Sequence, residues 1–291
     1  MRAYCLSVHA PYRCAHAGAC CTAGWPIPVE PGQLRAVWGL ARTAAPRDDD
    51  RFVPVAADGS CVFFDRDNGR LCAIQRDAGA AQMPVACRNF PRVTLRDARG
   101  IFITLSHFCP TAARLLLAER TITIVEAPAS LSLDGGTEGL DATAVMPPLL
   151  RRGMLMDLDG YSAWERSAIE VLNERRYPAR VALDVIAAAT EYAIEWNPGR
   201  ESLSAAIANA FARARLEARV QPSQRAHEHA IKAFAAAHLF ASWAAYQHGG
   251  IRAVVDAART ALALVDREFD TDEAFVECVQ SADMQLRHQH L

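Results

Sequence analysis

The chain has 291 residues, of which 51% are hydrophobic and 22% are charged, a composition typical of a globular protein with a sizeable core. Its 31 basic and 33 acidic side chains leave a net charge of −2, which argues against bulk attraction to nucleic acid or to an anionic membrane surface. The sequence shows neither the roughly 20 apolar residues of a membrane span nor the apolar core of a signal peptide. We therefore expect a cytoplasmic protein that binds neither nucleic acid nor membrane.

The N-terminal part should consist of short elements. Residues 1–30 contain many prolines and glycines, which predicts irregular chain, and Pro31 is suited to open a helix. Residues 60–76 are typical of a hairpin, because two apolar runs flank an Asn-Gly turn. Antiparallel pairing of its two arms would bring Cys61 and Cys72 close together.

The next elements lead through the last N-terminal cysteine. Residues 101–106 predict a strand that ends shortly before Cys109, Pro110 then opens a helix, and residues 121–127 predict a further strand. The polar, glycine-rich stretch that follows suggests a boundary. We predict a cysteine-cluster metal-binding domain over 1–128 and a linker over 129–147.

From residue 148 to residue 291 the pattern changes to apolar residues at helical spacing, interrupted by proline and glycine. The sequence predicts five to seven helices here. The expected fold is mainly α, with an N-terminal cysteine-cluster metal domain that contains short β-hairpin elements, followed by an all-α helical bundle.

Cysteine is distributed unevenly. Cys5 comes early and Cys278 stands alone in the last helical segment, where we expect a core position. Clustered cysteines in a reducing cytosol hold metal more often than they form disulfides, and an odd number fits pairing poorly. Seven of the nine cysteines form such a cluster, and we predict them as the metal ligands: Cys14, Cys20, Cys21, Cys61, Cys72, Cys87 and Cys109.

The spacing of these cysteines does not identify the metal. Thiolates suit tetrahedral zinc or the irons of a cluster, and either centre uses four of them, so seven allow two centres or some structural thiols. Some of the seven can also be ordinary buried thiols, since free cysteine packs as a small hydrophobe. Short Cys-x-x-Cys knuckles are absent, so we favour an iron–sulfur cluster, with zinc as the alternative. The adjacent Cys20 and Cys21 would diverge in extended chain and could serve different metals.

Four segments carry a family resemblance: PYRCAHAGACCTAGWPIPV from residue 11, CVFF with GRLCAIQRDAG from residue 61, CRNFPR from residue 87, and TLSHFCPTAARLLL from residue 104. Together they resemble the flagellin lysine-N-methylase (FliB) family, within the wider YkgJ-type group of cysteine-cluster proteins described as zinc- or iron-chelating. The resemblance covers residues 11–118. It implies an iron–sulfur cluster of the [4Fe-4S] type held by the cysteine set above, and methylation of lysine side chains on flagellin with S-adenosylmethionine.

The expected activity is therefore N-methyl transfer from S-adenosylmethionine to an amine. The chain is short for a flagellin enzyme, so a flagellin-like protein, another protein or a small amine can be the substrate. Two other functions remain open: a non-enzymatic protein that chelates zinc or iron, and an iron–sulfur protein for electron transfer. The sequence assigns no catalytic residue and no S-adenosylmethionine-binding residue.

A few residues near the cysteines allow two interpretations each. His107 can bind metal or move protons, but a plain loop histidine is the favoured interpretation. Arg88 and Arg92 can hold a cofactor carboxylate or, as favoured, offset the negative charge of a thiolate-bound cluster. Trp25 can stack on the cofactor, but packing is favoured.

Overall fold

The computed structural model describes residues 1–42, 51–67, 69, 71–131, 139–220, 222–247 and 249–287. About half of these residues are helical, which agrees with a mainly α fold. The strands in the described ranges are β1 (Ala3–Leu6), β2 (Phe64–Asp65), β3 (Leu71–Cys72), β4 (Arg92–Asp97), β5 (Gly100–Leu105), β6 (Ile124–Glu126), β7 (Gly139–Asp141), β8 (Leu149–Arg151) and β9 (Met154–Leu155).

The α-helices fall into a short set before residue 116 and a long set after residue 157. The short helices are α1 (Ala19–Thr22), α2 (Gln33–Val37), α3 (Val85–Asn89) and α4 (Pro110–Leu115). The long helices are α5 (Leu158–Asn173), α6 (Ala179–Ile194), α7 (Leu203–Glu217), α8 (Glu228–Leu239), α9 (Gly250–Val265) and α10 (Asp272–Arg287). None of the helices in the described part of the chain is both long and apolar enough to cross a membrane.

Five strands form one sheet in the order β6-β1-β5-β4-β7. β4 and β5 are a tight antiparallel hairpin, whereas β1 and β7 join it by parallel pairing with β5 and β4. β2 and β3 form a separate two-stranded hairpin in which Phe64 pairs with Cys72. This confirms the hairpin predicted for residues 60–76, of which residues 68 and 70 lie outside the described part.

Side chains along β5 alternate between two covered faces, because successive residues of a strand point in opposite directions. Phe102 and Thr104 face the helices. Ile103 and Leu105 pack on the other face together with Cys109. The sheet therefore has the helical half on one side and cysteine-bearing segments on the other.

A buried ionic network joins the sheet to the helical half. Arg99 donates to Asp97 at 2.8 Å and to Glu165 of α5 at 3.1 Å. Its guanidinium lies 4.4 Å and 4.3 Å from the ring centroids of Phe102 and Tyr161, so it is covered by one aromatic ring from each half. A charge pair removed from water in this way stabilises the fold only as a complete set, because breaking it leaves a buried charge unpaired.

Two sequence expectations near the N-terminus differ from the structure. Residues 1–30 are expected to be irregular, yet β1 is an inner strand of the sheet. Its four residues are too few to show a strand pattern in the sequence. The helix expected from Pro31 begins at Gln33, after Gly32 in the left-handed region at φ 79°. The strands expected over 101–106 and 121–127 and the helix after Pro110 are confirmed as β5, β6 and α4.

The start of the helical half also differs. We expected helix from residue 148, but β8 and β9 form a hairpin there, with Gly153 at φ 76° in its turn. Helix α5 begins at Leu158, because the Asp157 side chain caps it by accepting from the Gly160 N–H at 2.5 Å. The predicted linker, 129–147, contains β7, and its residues 132–138 lie outside the described part of the chain.

Candidate metal centre

One cavity of about 570 Å³ lies between the hairpin of β2 and β3, the short helices and the far face of the sheet. Its walls include every cysteine of the predicted metal set: Cys14, Cys20, Cys21, Cys61, Cys72, Cys87 and Cys109. These residues are up to 95 positions apart in sequence, from Cys14 to Cys109, so their meeting is a property of the fold. The two other cysteines lie elsewhere: Cys5 is in β1 and Cys278 is in α10, both buried.

Four of the seven, Cys20, Cys21, Cys61 and Cys72, form what we call the first thiol group. Cys61 is tied to α1 by its backbone N–H, which donates to the Cys21 carbonyl oxygen at 2.7 Å. Cys72 is fixed by its pairing with Phe64 in the hairpin. Apolar side chains such as Phe63 and Ile74 pack around this group. Its members lie close enough together that negative charge on Cys20, Cys61 or Cys72 raises the pKa of Cys21.

Cys20 and Cys21 do not diverge as expected for extended chain. They lie on the single turn of α1, which starts after Gly18 in the left-handed region at φ 78°. Their sulfur atoms are 3.9 Å apart. The expectation was wrong because a helical turn places neighbouring side chains about 100° apart, close enough for both sulfurs to face one cavity.

The protonation of these thiols depends on what surrounds them. The pKa of Cys20 is lowered by a hydrogen bond from Cys21, and the pKa of Cys21 is raised by that bond and by burial. Burial raises the pKa of Cys61 to about 12 and also raises the pKa of Cys72. Most of the group therefore stays protonated unless positive charge enters, and a bound metal ion deprotonates a coordinating thiol.

Cys14 and Cys109 form the second thiol group. The Tyr12 hydroxyl lies 3.8 Å from the Cys109 sulfur, and burial raises the pKa of Cys109. Tyr12 and Cys109 pack with the apolar residues on the far face of the sheet, a different cluster from the one around Cys61. Cys87, on α3, also lines the cavity.

The last long helix holds the loop that carries Cys109. Asp283 of α10 accepts from the Ser106 hydroxyl at 2.6 Å and from the Phe108 N–H at 3.2 Å. Gln280, on the same helix, donates to the Phe108 carbonyl oxygen at 2.9 Å. The helical half thereby fixes one wall of the cavity, although it contributes none of the described lining residues.

The charged residues of the cavity wall are cationic. Arg13, Arg88 and Arg92 line it, and the described lining residues include no carboxylate. Arg92 is already engaged: its guanidinium donates to the carbonyl oxygens of Leu131, Arg88 and Ser130 at 3.1, 3.2 and 2.9 Å. Such a wall favours an anionic occupant.

Other residues singled out in the sequence take other positions. His107 is fully buried beside His9, with 3.1 Å between their Nε2 atoms, and it is not among the residues that line the cavity. Trp25 packs against Phe90 and Phe108, with ring centroids 5.7 and 4.9 Å away. The contacts of Trp25 agree with the packing role that was favoured for it, whereas His107 lies in a turn but is fully buried.

Sequence reasoning missed six polar residues of the cavity wall: Tyr12, Arg13, His16, Gln75, Thr111 and Ser130. His16 Nδ1 lies 4.0 Å from the Cys14 sulfur, and its backbone is in the left-handed region at φ 53°, a conformation that costs energy for a residue with a side chain. Its position between Cys14 and Cys20 was a visible signal. Ser130 gave none, because it lies in a stretch that reads as a loop.

The thiols line the cavity at separate positions. Among the described residues, no three His, Cys, Asp or Glu side chains are grouped closely enough to hold one metal ion. Comparisons with known protein families, with curated proteins and with solved structures find no match to this chain.

Proposed function

We propose that this chain is a cytoplasmic iron–sulfur protein that transfers the methyl group of S-adenosylmethionine to an amine, either a lysine side chain of a protein such as flagellin or a small amine. The observation that carries the proposal is the meeting of seven cysteines from distant parts of the chain at one cavity. The resemblance of residues 11–118 to the flagellin lysine-N-methylase family supplies the reaction.

The residues of the cavity fit a thiolate-bound metal group. Sulfur is the donor that iron–sulfur clusters require, Cys61 and Cys109 are buried, and arginines of the cavity wall offset negative charge. We assign the first thiol group, Cys20, Cys21, Cys61 and Cys72, as the cluster ligands, because Cys21, Cys61 and Cys72 share one apolar cluster and the Cys20 sulfur lies 3.9 Å from that of Cys21.

The preference for a cluster over a single zinc ion comes from the sequence, in which Cys-x-x-Cys knuckles are absent. A zinc ion needs its sulfur ligands about 2.3 Å from one point, and the 3.9 Å between the Cys20 and Cys21 sulfurs is compatible with that spacing. Zinc therefore stays the alternative metal. In this chain the cluster would stabilise the wall and position the cofactor.

S-adenosylmethionine supplies an electrophilic methyl group. In the transfer, the amine nitrogen bonds to the methyl carbon as the carbon–sulfur bond breaks; the bonding pair stays on sulfur and the amine releases one proton. Tyr12 cannot take that proton, because burial and the nearby thiols raise its pKa and keep the phenol protonated. Its hydroxyl can instead donate a hydrogen bond into the cavity.

The test is anaerobic purification followed by an absorption spectrum, iron and sulfide analysis, and calorimetric titration with S-adenosylmethionine. The same sample is then incubated with labelled cofactor and either flagellin or a set of small primary amines, and methylated product is identified by mass spectrometry. We expect a brown protein with about four irons per chain that binds the cofactor. We also expect label in one of the two substrate classes.

Each component can fail separately. A colourless protein that carries zinc and ignores the cofactor would be a chelating protein. A brown protein that can be reduced and reoxidised without loss of fold, and that ignores the cofactor, would be an electron-transfer protein. Either result overturns the methyltransferase.

A further inference from the structure

Two polar atoms in the cavity wall are buried without a hydrogen-bond partner among the described residues: Nε of Arg88 and Oγ of Ser130. Both residues line the cavity. A buried donor that bonds to nothing costs free energy, so such atoms in a cavity wall point to an occupant that satisfies them.

Arg92 brings these two residues together although they are 42 positions apart in sequence. One of its terminal nitrogens donates to the Arg88 carbonyl oxygen at 3.2 Å, and the other donates to the Ser130 carbonyl oxygen at 2.9 Å. The two backbone segments are thus held on a single guanidinium. This arrangement places the two segments beside each other in the cavity wall, and Arg92 acts as a positioning residue.

The chemistry of the two donors selects an anion. A guanidinium presents N–H groups in a planar fork that matches a carboxylate, and a serine hydroxyl donates one further hydrogen bond. The described lining residues contain no carboxylate that would neutralise Arg88 from within the chain. Leu131, the residue after Ser130, belongs to the apolar cluster that contains Cys109, and not to the cluster that contains Cys61. Ser130 is therefore on the side of the second thiol group.

We propose that Arg88 and Ser130 form a subsite for the carboxylate of the methionine part of S-adenosylmethionine, beside the second thiol group. This inference rests on the proposed function, since it takes its ligand from it. It reverses the preference drawn from sequence, in which Arg88 offsets the charge of the cluster. The carboxylate accepts from Arg88 and Ser130, while the cluster is held by the first thiol group.

The experiment measures the binding of S-adenosylmethionine and of decarboxylated S-adenosylmethionine to the iron-loaded protein by calorimetry. The two ligands differ only in the carboxylate. We expect the wild type to prefer S-adenosylmethionine by about ten- to a hundredfold, the factor that hydrogen bonds to a charged group supply. Arg88→Gln should lose most of this preference, and Ser130→Ala should lose a severalfold part of it.

Two further variants control for misfolding and for the loss of an arginine. Ser130→Ala removes an atom without a hydrogen-bond partner among the described residues, so it should leave the unfolding midpoint unchanged and serves where Arg88→Gln folds poorly. Arg96→Gln is the matched control, because Arg96 also has a buried Nε without a partner among the described residues but does not line the cavity. It should keep the full preference.

The outcomes separate the inference from the function on which it rests. If Arg88→Gln and Ser130→Ala keep the wild-type preference while binding S-adenosylmethionine, the subsite is wrong and the proposed function stands. If Arg88→Gln instead changes the absorption spectrum or the iron content and keeps the preference, Arg88 serves the cluster and the subsite is wrong. If the iron-loaded wild type binds neither ligand, both proposals fall.

Discussion

The wall of the cysteine cavity and the helical half of the chain contrast in how their elements are held. The wall is made of elements as short as the four residues of α1 and the two residues each of β2 and β3. The helical half consists of helices of 12 to 16 residues whose buried faces form one large apolar core. Isolated helices shorter than about 12 residues are marginal in water, so the short elements of the wall depend more on contacts between segments than the long helices do.

This difference indicates where a bound metal matters. Apolar burial contributes about 25 cal/mol per Å² and suffices for a helical core, whereas a wall of single turns gains order from ligands that join its segments. Metal loss should therefore act on the wall first.

The largest effect is expected from Cys72→Ala. It removes one sulfur of the first thiol group, so the protein should lose its iron and the brown colour. Hydrogen exchange should then speed up in residues 12–29 and 71–90, while the amides of α5 to α9 stay protected. Equal protection of both regions in the iron-free variant would show that the wall is stable without metal, and the contrast would be wrong.

Trp164→Ala tests the helical half. Trp164 is fully buried on α5, and its indole N–H donates to the Thr190 hydroxyl at 2.9 Å. Truncating a buried tryptophan costs about 3–5 kcal/mol. Urea unfolding should show this loss, while the folded protein keeps its full iron content; Trp164→Phe should lose less. Iron loss in Trp164→Ala under native conditions would mean that the two regions are one cooperative unit.

The third prediction concerns the contact between the two regions. Asp283→Ala removes the acceptor of the Ser106 hydroxyl and the Phe108 N–H and leaves Arg287 without a carboxylate that it contacts at 3.1 Å. Hydrogen bonds to a buried charge contribute about 1.5–3 kcal/mol, so we expect a loss of about 2–3 kcal/mol. Amide exchange should rise at residues 106–109, with the iron content unchanged because the first thiol group is intact. A free energy of unfolding equal to that of the wild type would show that Asp283 does not connect the helical half to the wall.

The helical half could be predicted from the sequence more completely than the wall of the cavity. The helical half repeats a simple period, so its helices were predictable, except that the Asp157 cap and the Gly153 turn delay the first one. The hairpin at Cys72 was predictable from its Asn-Gly turn. β1 was not, because four residues before a proline-rich stretch carry too little pattern, and its burial comes from partners about 100 positions away.

The candidate site was predictable as a set of cysteines but not as an arrangement. Seven cysteines stand out in composition, and all seven line the cavity. Six of them fall into the two thiol groups and Cys87 into neither; the grouping depends on tertiary contacts, with Cys21, Cys61 and Cys72 in one apolar cluster and Cys109 in another. His107 illustrates the limit: its position two residues before Cys109 allowed a metal role, but it lies in the turn after β5 and contacts His9 and Phe234 of α8 instead of lining the cavity.

A smaller effect is expected from pH. Burial lowers the pKa of His238 on α8 to about 3, with the charge of Arg287 acting in the same direction, His107 adding slightly and Asp283 opposing. The unfolded chain binds a proton below pH 6.5 and the folded chain does not until about pH 3, so stability is full above 6.5 and falls as the pH drops through this window. At pH 5.5 the loss is about 1.4 kcal/mol for this one imidazole.

His238→Leu should remove that part of the acid sensitivity. The free energy of unfolding, measured from pH 7.5 to 5, should fall less steeply in the variant than in the wild type, with the two slopes differing by up to one proton. A comparison between the two proteins cancels any acid effect on the cluster that both share. Parallel curves would mean that His238 is protonated in the folded chain and that the helical core admits charge.

The smallest effect is expected from Cys278→Ala, the counterpart of Cys72→Ala in the other region. Cys278 is 8% exposed on α10, and its thiol donates to the Leu264 carbonyl oxygen at 3.5 Å. It packs as a small apolar residue, so its truncation should cost about 1 kcal/mol. The iron content and the absorption spectrum should equal those of the wild type.

Because both variants remove one sulfur, only the position of the cysteine distinguishes them. Iron loss in Cys278→Ala as complete as in Cys72→Ala would mean that cysteines hold metal irrespective of the cavity, and the ligand assignment would fail.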